Sequence, residues 1–131
     1  MSPNRPDDAL QQDRRAFLDA LTALEQALEV NMESTRQMKR RIGQLREACA
    51  AGRPVREIVP QEESPLLVQL LTESARRLEE HGSRVRRTEA RLLHREGVPM
   101  EQIGRLFGVT RQRVSALLRT ASTRPDGPPP A

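Results

Sequence analysis

The chain has 131 residues, 36% hydrophobic and 31% charged, with two Phe and neither Tyr nor Trp. Aromatic side chains bury large areas, so this composition excludes a thick core of the sandwich, barrel or doubly wound kind. It leaves long helices that each bury one stripe. The formal charge of +4 is unevenly spread: residues 1–83 carry 12 basic and 14 acidic side chains, whereas residues 84–119 carry nine arginines against Glu89, Glu96 and Glu101. A basic last third on a neutral-to-acidic body points to a polyanionic partner.

Arginine outnumbers lysine 21 to 1. Arginine suits bidentate phosphate and guanine contacts, but the bias runs through the whole chain, as a GC-rich genome alone would produce. The single Cys49 leaves no internal disulfide and no cysteine-cluster zinc site, and suits a reducing compartment. The opening MSPNRPDDALQQ has prolines and acids where an export signal needs an apolar run. No stretch approaches the roughly 18 apolar residues of a membrane span. The expectation is a soluble cytoplasmic protein with no membrane partner.

Prolines divide the chain. Residues 1–6 read as a disordered start, and two proline-free runs, 7–53 and 66–98, have helical composition without the period-two alternation of strands. Alternating steps of four and three from Leu10 reach Arg14, Phe17, Leu21, Leu24, Leu28, Asn31, Thr35, Met38, Ile42, Leu45 and Cys49, nine of the twelve being apolar. This is a coiled-coil seam, and Phe17, Leu21, Leu24, Leu28, Met38, Ile42 and Leu45 are its expected dimerisation residues. A helix over residues 7–50 would be about 65 Å long at 1.5 Å per residue. Asn31 and Thr35 form a polar layer, read either as register control or as a weak spot where the partner helix diverges. Cys49 falls on the seam and is expected to act as a small buried hydrophobe, a cross-subunit disulfide or a redox sensor being the alternative.

Ala51-Gly52-Arg53-Pro54 stops the first helix, with Gly52 in the left-handed position. A linker over about 51–64 allows one short turn before Pro60. Ser64-Pro65 then reads as an N-cap followed by proline at the first helical position. The second helix, expected over about 65–96, carries Leu67, Leu71, Ser74, Leu78, His81, Val85 and Leu92 on one stripe, with Gly82-Ser83 as a kink or break. Folded back, the two helices form an antiparallel hairpin over residues 7–83. Too little core remains for a monomer, so the exposed part of the seam is expected to pair with a second copy in a homodimer.

Residues 100–119, MEQIGRLFGVTRQRVSALLR, fit a helix-turn-helix unit. Gly104 is the small residue where the helices cross, and Gly108 sits at a turn where positive φ costs glycine little. Thr110 caps the second helix. Ile103, Phe107, Val109, Val114 and Leu117 point inward. Thr110–Arg119 projected at 100° per residue turns Gln112, Ser115, Ala116 and Arg119 outward with Arg113 flanking, and puts Thr110 and Arg111 at the end that enters a major groove. Thr110, Arg111, Gln112, Arg113, Ser115, Ala116 and Arg119 are therefore the candidate base contacts, since arginine pairs with guanine, glutamine with adenine, and Ala116 can meet a thymine methyl. Arg84, Arg86, Arg87, Arg91, Arg95 and Arg105 are candidate phosphate contacts, which position without reading sequence. The bland alternative for each is a solvated helix face.

Gly108-Val109-Thr110-Arg111-Gln112-Arg113-Val114 resembles the start of the recognition helix in sigma-factor region 4 and in the LuxR and resolvase helix-turn-helix groups. The upstream Ala90-Arg91-Leu92-Leu93-His94-Arg95-Glu96-Gly97 and Met100-Glu101-Gln102-Ile103 are similar to them as well. The likeness covers about 35 residues, roughly a quarter of the chain, and the N-terminal hairpin has no counterpart to the sigma region that melts the −10 element. It implies a small bacterial transcriptional regulator of the actinobacterial kind, not a complete sigma factor.

Together these readings give an all-α protein: a dimerisation hairpin over 7–83, a helix-turn-helix DNA-binding domain over 84–119 and a disordered proline-rich tail over 120–131. The expected function is sequence-specific binding of double-stranded DNA in the nucleoid. One alternative is a coiled-coil adaptor engaging RNA polymerase, a sigma factor or a division coiled coil; another is a weakly specific nucleoid protein. His81 and His94 lack partners at ligand spacing, so no metal and no cofactor are expected. No phosphate loop, nucleophile elbow or acid–base pair suggests an enzyme.

Overall fold

A computed structural model describes residues 6–120. The chain is all-α: α1 (Pro6–Ala50), α2 (Val55–Ile58), a 3-10 turn (Val59–Gln61), α3 (Leu67–Arg95), α4 (Met100–Phe107) and α5 (Arg111–Thr120) follow in order, with no strand among the described residues. Residues 121–131 of the expected tail and the first five residues lie outside the described range; Thr120, expected to begin the tail, ends α5, and Pro6, expected to precede the first helix, is its first residue. No helix among the described residues is long and apolar enough to cross a membrane. The chain divides into two compact units, residues 25–80 and residues 1–24 with 81–131.

In the unit of residues 25–80, α1 ends as its glycine suggests. Gly52 has φ +87, and the N–H groups of Gly52 and Arg53 donate to the carbonyls of Cys49 and Ala48, closing the last turn. The linker is more ordered than a bare loop, because α2 and the 3-10 turn occupy residues 55–61 and bury Ile58. Asn31 lies against α3: its Nδ2 donates to the Ser74 carbonyl (3.1 Å) and its Oδ1 accepts from Arg77 Nη1 (2.7 Å). Nearer the linker, Arg41 donates through Nη1 to the carbonyls of Glu63 and Pro65, 2.6 Å each. Positions later in α1 thus meet positions earlier in the returning chain, so the pair is antiparallel.

Several sequence expectations are corrected here. Of the polar layer, Asn31 bonds to α3 within one chain, whereas Thr35 is exposed and donates back to the Asn31 carbonyl. The buried stripe of α1 passes through Ala27 and Arg41, so Leu28, Ile42 and Cys49, one position on, are exposed. On α3 the buried residue is Leu70, and Leu71 and Leu78 face outward. Ser64-Pro65 does not open α3: the bond is cis and the helix starts at Leu67, where Gln69 Oε1 and Glu62 Oε1 accept from the N–H groups of Leu66 and Leu67. Those carboxyl and amide oxygens satisfy donors that a helix start leaves open.

In the other unit, α3 runs unbroken through Gly82 and Ser83 to Arg95, so the expected kink is no interruption of the helix. Asp13 and Ala20 are buried on α1, whereas Arg14 and Leu21 are exposed. The end of α3 packs with α4 and α5 around Ala90, Ile103, Val114 and Leu117, with Leu93, Val98, Met100, Phe107 and Leu118 partly buried against them. Ile103 and Val114 are 0% exposed. At about 25 cal/mol per Å² of apolar surface removed from water, this small cluster is what holds α5 in place.

Candidate functional site

The α4–α5 pair is built on a close backbone approach. A Cβ on Gly104 would sit 2.8 Å from the Val109 carbonyl oxygen and 3.6 Å from Val114 Cγ2, so only glycine lets α5 approach α4 at this point. Gly108 ends α4 at φ +69. Its own N–H donates to the Arg105 carbonyl, and the Val109 N–H donates to that of Gly104 at 2.9 Å. Thr110 Oγ1 accepts from the Arg113 N–H at 3.1 Å, an N-cap that fixes where α5 begins. Of the five expected inward residues, Ile103, Val114 and Leu117 are buried and Phe107 partly so. Val109 is instead 37% exposed, because it lies in the turn beyond the reach of the core.

Burial of Val114 and Leu117 decides which face α5 presents. Thr110, Arg111, Gln112, Arg113 and Arg119 are exposed, while Ser115 and Ala116 are half-buried. Arg119 Nη1 donates to Ser115 Oγ at 3.2 Å, so the serine hydroxyl is held by its own helix. Arg111 Nη1 stands 3.6 Å from Glu101 Oε1, with both side chains largely exposed. An exposed pair of this kind is worth little and exchanges readily with water or a ligand. Charge and hydrogen-bonding capacity therefore gather on one side of a short, rigidly seated helix.

The candidate phosphate contacts fall into separate groups. Arg91 and Arg95 both donate through Nε to the buried carboxylate of Asp13, at 3.2 and 2.8 Å. Each guanidinium thus has one edge committed to α1. These two arginines with His94 and Leu118 line a cleft of about 350 Å³. A second cleft of about 150 Å³ is lined by Ser83, Arg86 and Arg87 from α3 and by Arg113, Ala116 and Leu117 from α5. Arg86 Nη2 donates to Ser83 Oγ at 3.2 Å. Arg84 is half-buried on α3, and Arg105 is exposed on α4.

Asp13 is the neighbour of these arginines that sequence reasoning missed. Its partners lie 78 and 82 residues away, and no helical spacing rule connects such positions. The only signal available was the i, i+4 spacing of Arg91 and Arg95, which puts both on one face. The expected dimerisation residues also divide: Phe17, Leu24, Met38 and Leu45 are half-buried within the chain, and Leu21, Leu28 and Ile42 remain exposed.

Compared with known proteins, the chain matches no protein family, no curated protein and no solved structure.

Proposed function

We propose that the protein is a sequence-specific DNA-binding regulator that acts as a homodimer, with α4 and α5 as a helix-turn-helix and α5 as the helix that enters the major groove. The observation that carries this reading is the exposed face of α5. Arg111, Gln112 and Arg119 stand clear of the core formed by Val114 and Leu117, on a helix whose start is set by the Thr110 cap. A groove-reading helix needs a fixed axis, exposed base-pairing side chains toward its N-terminal end, as Arg111 and Gln112 are here, and a cationic surround. Double-stranded DNA is then the partner and the nucleoid the location.

The second copy has a surface to bind in the unit of residues 25–80. On α1, Leu28, Met32 and Ile42 are exposed; on α3, Val68, Leu71 and Leu78 are exposed. Each set is displaced in the same rotational sense from its helix's inward stripe, and two antiparallel helices displaced alike open onto one side of the pair. Within this unit Ala27, Ile58 and Leu70 are the buried apolar residues, a thin core of the kind that association commonly supplements. A second copy carries the same strip, so the two meet isologously.

The test is selection of bound fragments from genomic DNA by the purified chain, followed by titration of the recovered site. Gln112→Ala is expected to cost about 1–3 kcal/mol on that site and to leave random-DNA binding nearly unchanged. Equal losses on both DNAs would replace this reading with a nucleoid protein of weak specificity. Absence of DNA retention at moderate salt, together with capture of RNA polymerase or a sigma factor, would replace it with the adaptor.

A further inference from the structure

The cleft of about 350 Å³ at the end of α3 is lined by Arg91, His94, Arg95 and Leu118, and the side chain that organises it is not in its lining. Asp13 reaches from α1 with its side chain only 10% exposed, against 35% and 41% for Arg91 and Arg95. Its two oxygens are shared out, Oδ1 accepting from Arg91 Nε and Oδ2 from Arg95 Nε. One carboxylate thus turns the Nε side of both guanidinium groups inward and holds two long side chains that would otherwise sample many rotamers. It offsets only one of their two positive charges.

A guanidinium donates from Nε and from both Nη nitrogens, and here Nε alone is used. Arg91 and Arg95 make no other side-chain hydrogen bond or ion pair among the described residues, and the His94 side chain makes none. The Nη donors of two neighbouring arginines therefore border one cleft, on a pair with a positive charge to spare and no carboxylate in the lining. The planar fork of a guanidinium matches phosphoryl oxygens in pairs. The cleft also exceeds what a bare oxyanion needs and falls at the low end of the volumes that hold small molecules. His94 and Leu118 give it a ring and an apolar wall, surfaces that suit the organic part of a phosphate ester. Leu118 lies in the last turn of α5, whereas Arg111 and Gln112 lie in the first, so the cleft is set apart from the base-reading end.

We infer that Arg91, His94, Arg95 and Leu118 form a binding site for a small phosphate ester, with Asp13 as a positioning residue that aligns the two guanidinium groups for its phosphoryl oxygens. The site rests on the DNA-binding reading for only one source of that chemistry, a phosphodiester of the duplex backbone beside α5. A free organic phosphate is the other source.

The experiment follows backbone amide shifts of the full chain during titration with inorganic phosphate and with phenyl phosphate, against chloride at equal ionic strength. Saturating shifts at residues 91–95 and 118 are expected with both, and phenyl phosphate is expected to bind more tightly because its ring has His94 and Leu118 to lie on. Arg91→Lys and Arg95→Lys keep the charge and lose the fork, so each should weaken both ligands about tenfold, the loss of one charge-assisted hydrogen bond. No saturating shift at these residues in the parent, or unchanged affinity in both lysine variants, overturns the site.

The role of Asp13 is read in the parent from the Nε–H signals of Arg91 and Arg95. They are expected to hold their shifts as phosphate saturates, since Asp13 stays bound; their movement into exchange with water would make Asp13 a displaced competitor and overturn the positioning. Asp13→Asn, checked for unchanged helical circular dichroism, adds a positive charge to the cleft and is nevertheless expected to weaken phosphate. Tighter binding by that variant overturns the positioning as well.

A duplex arm separates the two sources. Weakening of Arg91→Lys on selected and random DNA by the same factor, at an unchanged log–log salt slope because the charge is kept, assigns the phosphoryl group to the duplex backbone. Unchanged DNA affinity beside weakened phenyl phosphate assigns it to a free ligand. If the chain binds no DNA, the function proposed above fails, and the amide titration still decides the site.

Discussion

Gly104 and Gly43 make a paired test of what a single Cβ does. Both are helical, and alanine gains about 1 kcal/mol over glycine in a helix interior. At Gly43 nothing lies within 4 Å of the added carbon, so Gly43→Ala should stabilise the chain by up to about 1 kcal/mol. At Gly104 the carbon would stand 2.8 Å from the Val109 carbonyl oxygen. That atom belongs to a turn fixed by two backbone hydrogen bonds, so it cannot swing aside as a side chain would. Overpacking of this kind costs about 1–3 kcal/mol, and Gly104→Ala is expected to be net destabilising in urea unfolding. The roles of Gly104, Gly108 and Thr110 were legible in the sequence because each is settled within four to six residues along the chain. Val109 and Cys49 were misread because their exposure depends on where the neighbouring helices lie, which local pattern does not encode.

Helix lengths and stops were also legible, since proline and glycine act locally on the backbone. The inner stripe of α1 was not. Hydropathy selects Leu21, Leu28 and Ile42, yet the buried positions are Asp13, Ala20, Ala27 and Arg41, one residue earlier in each turn. Small residues mark a close approach without adding to an apolar count, and buried charges subtract from it. Asp13 and Arg41 are tolerated inside because each is hydrogen-bonded, Asp13 to two arginines and Arg41 to two carbonyls; without partners such burial is costly. Asp13→Ala should therefore destabilise the chain by about 1–3 kcal/mol, read as a lower urea midpoint. The variant should also free the Nε edges of Arg91 and Arg95, and a steeper salt dependence of DNA binding would report that release.

For the molecule as an assembly, the consequential residues are those left outside. Leu28 is 45% exposed on the side of α1 that also exposes Met32 and Ile42, where a monomer gains nothing from it. Leu28→Lys is expected to convert a dimer to a monomer in sedimentation equilibrium and to weaken binding to the selected site in parallel, since two linked half-sites become one. A parent chain that already sediments as a monomer would end the homodimer reading while leaving that of α5 intact. Charge asymmetry was fully legible, being a count. The shortage of core was legible as well, but which apolar residues stay exposed was not, because sequence shows that apolar surface is in excess before it shows which surface that is.

The reach of Asp13 has a temporal side. Ties within residues 25–80 span 22 to 46 positions, but Asp13 waits for partners 78 and 82 positions downstream. At a translation rate of about 5–20 residues per second, the start of α1 leaves the ribosome several seconds before Arg91 and Arg95 exist. During that interval the segment has a leucine, a phenylalanine and a carboxylate with nothing to dock against. The hairpin ties can form first, and the basic third of the chain is the last to gain its N-terminal anchor.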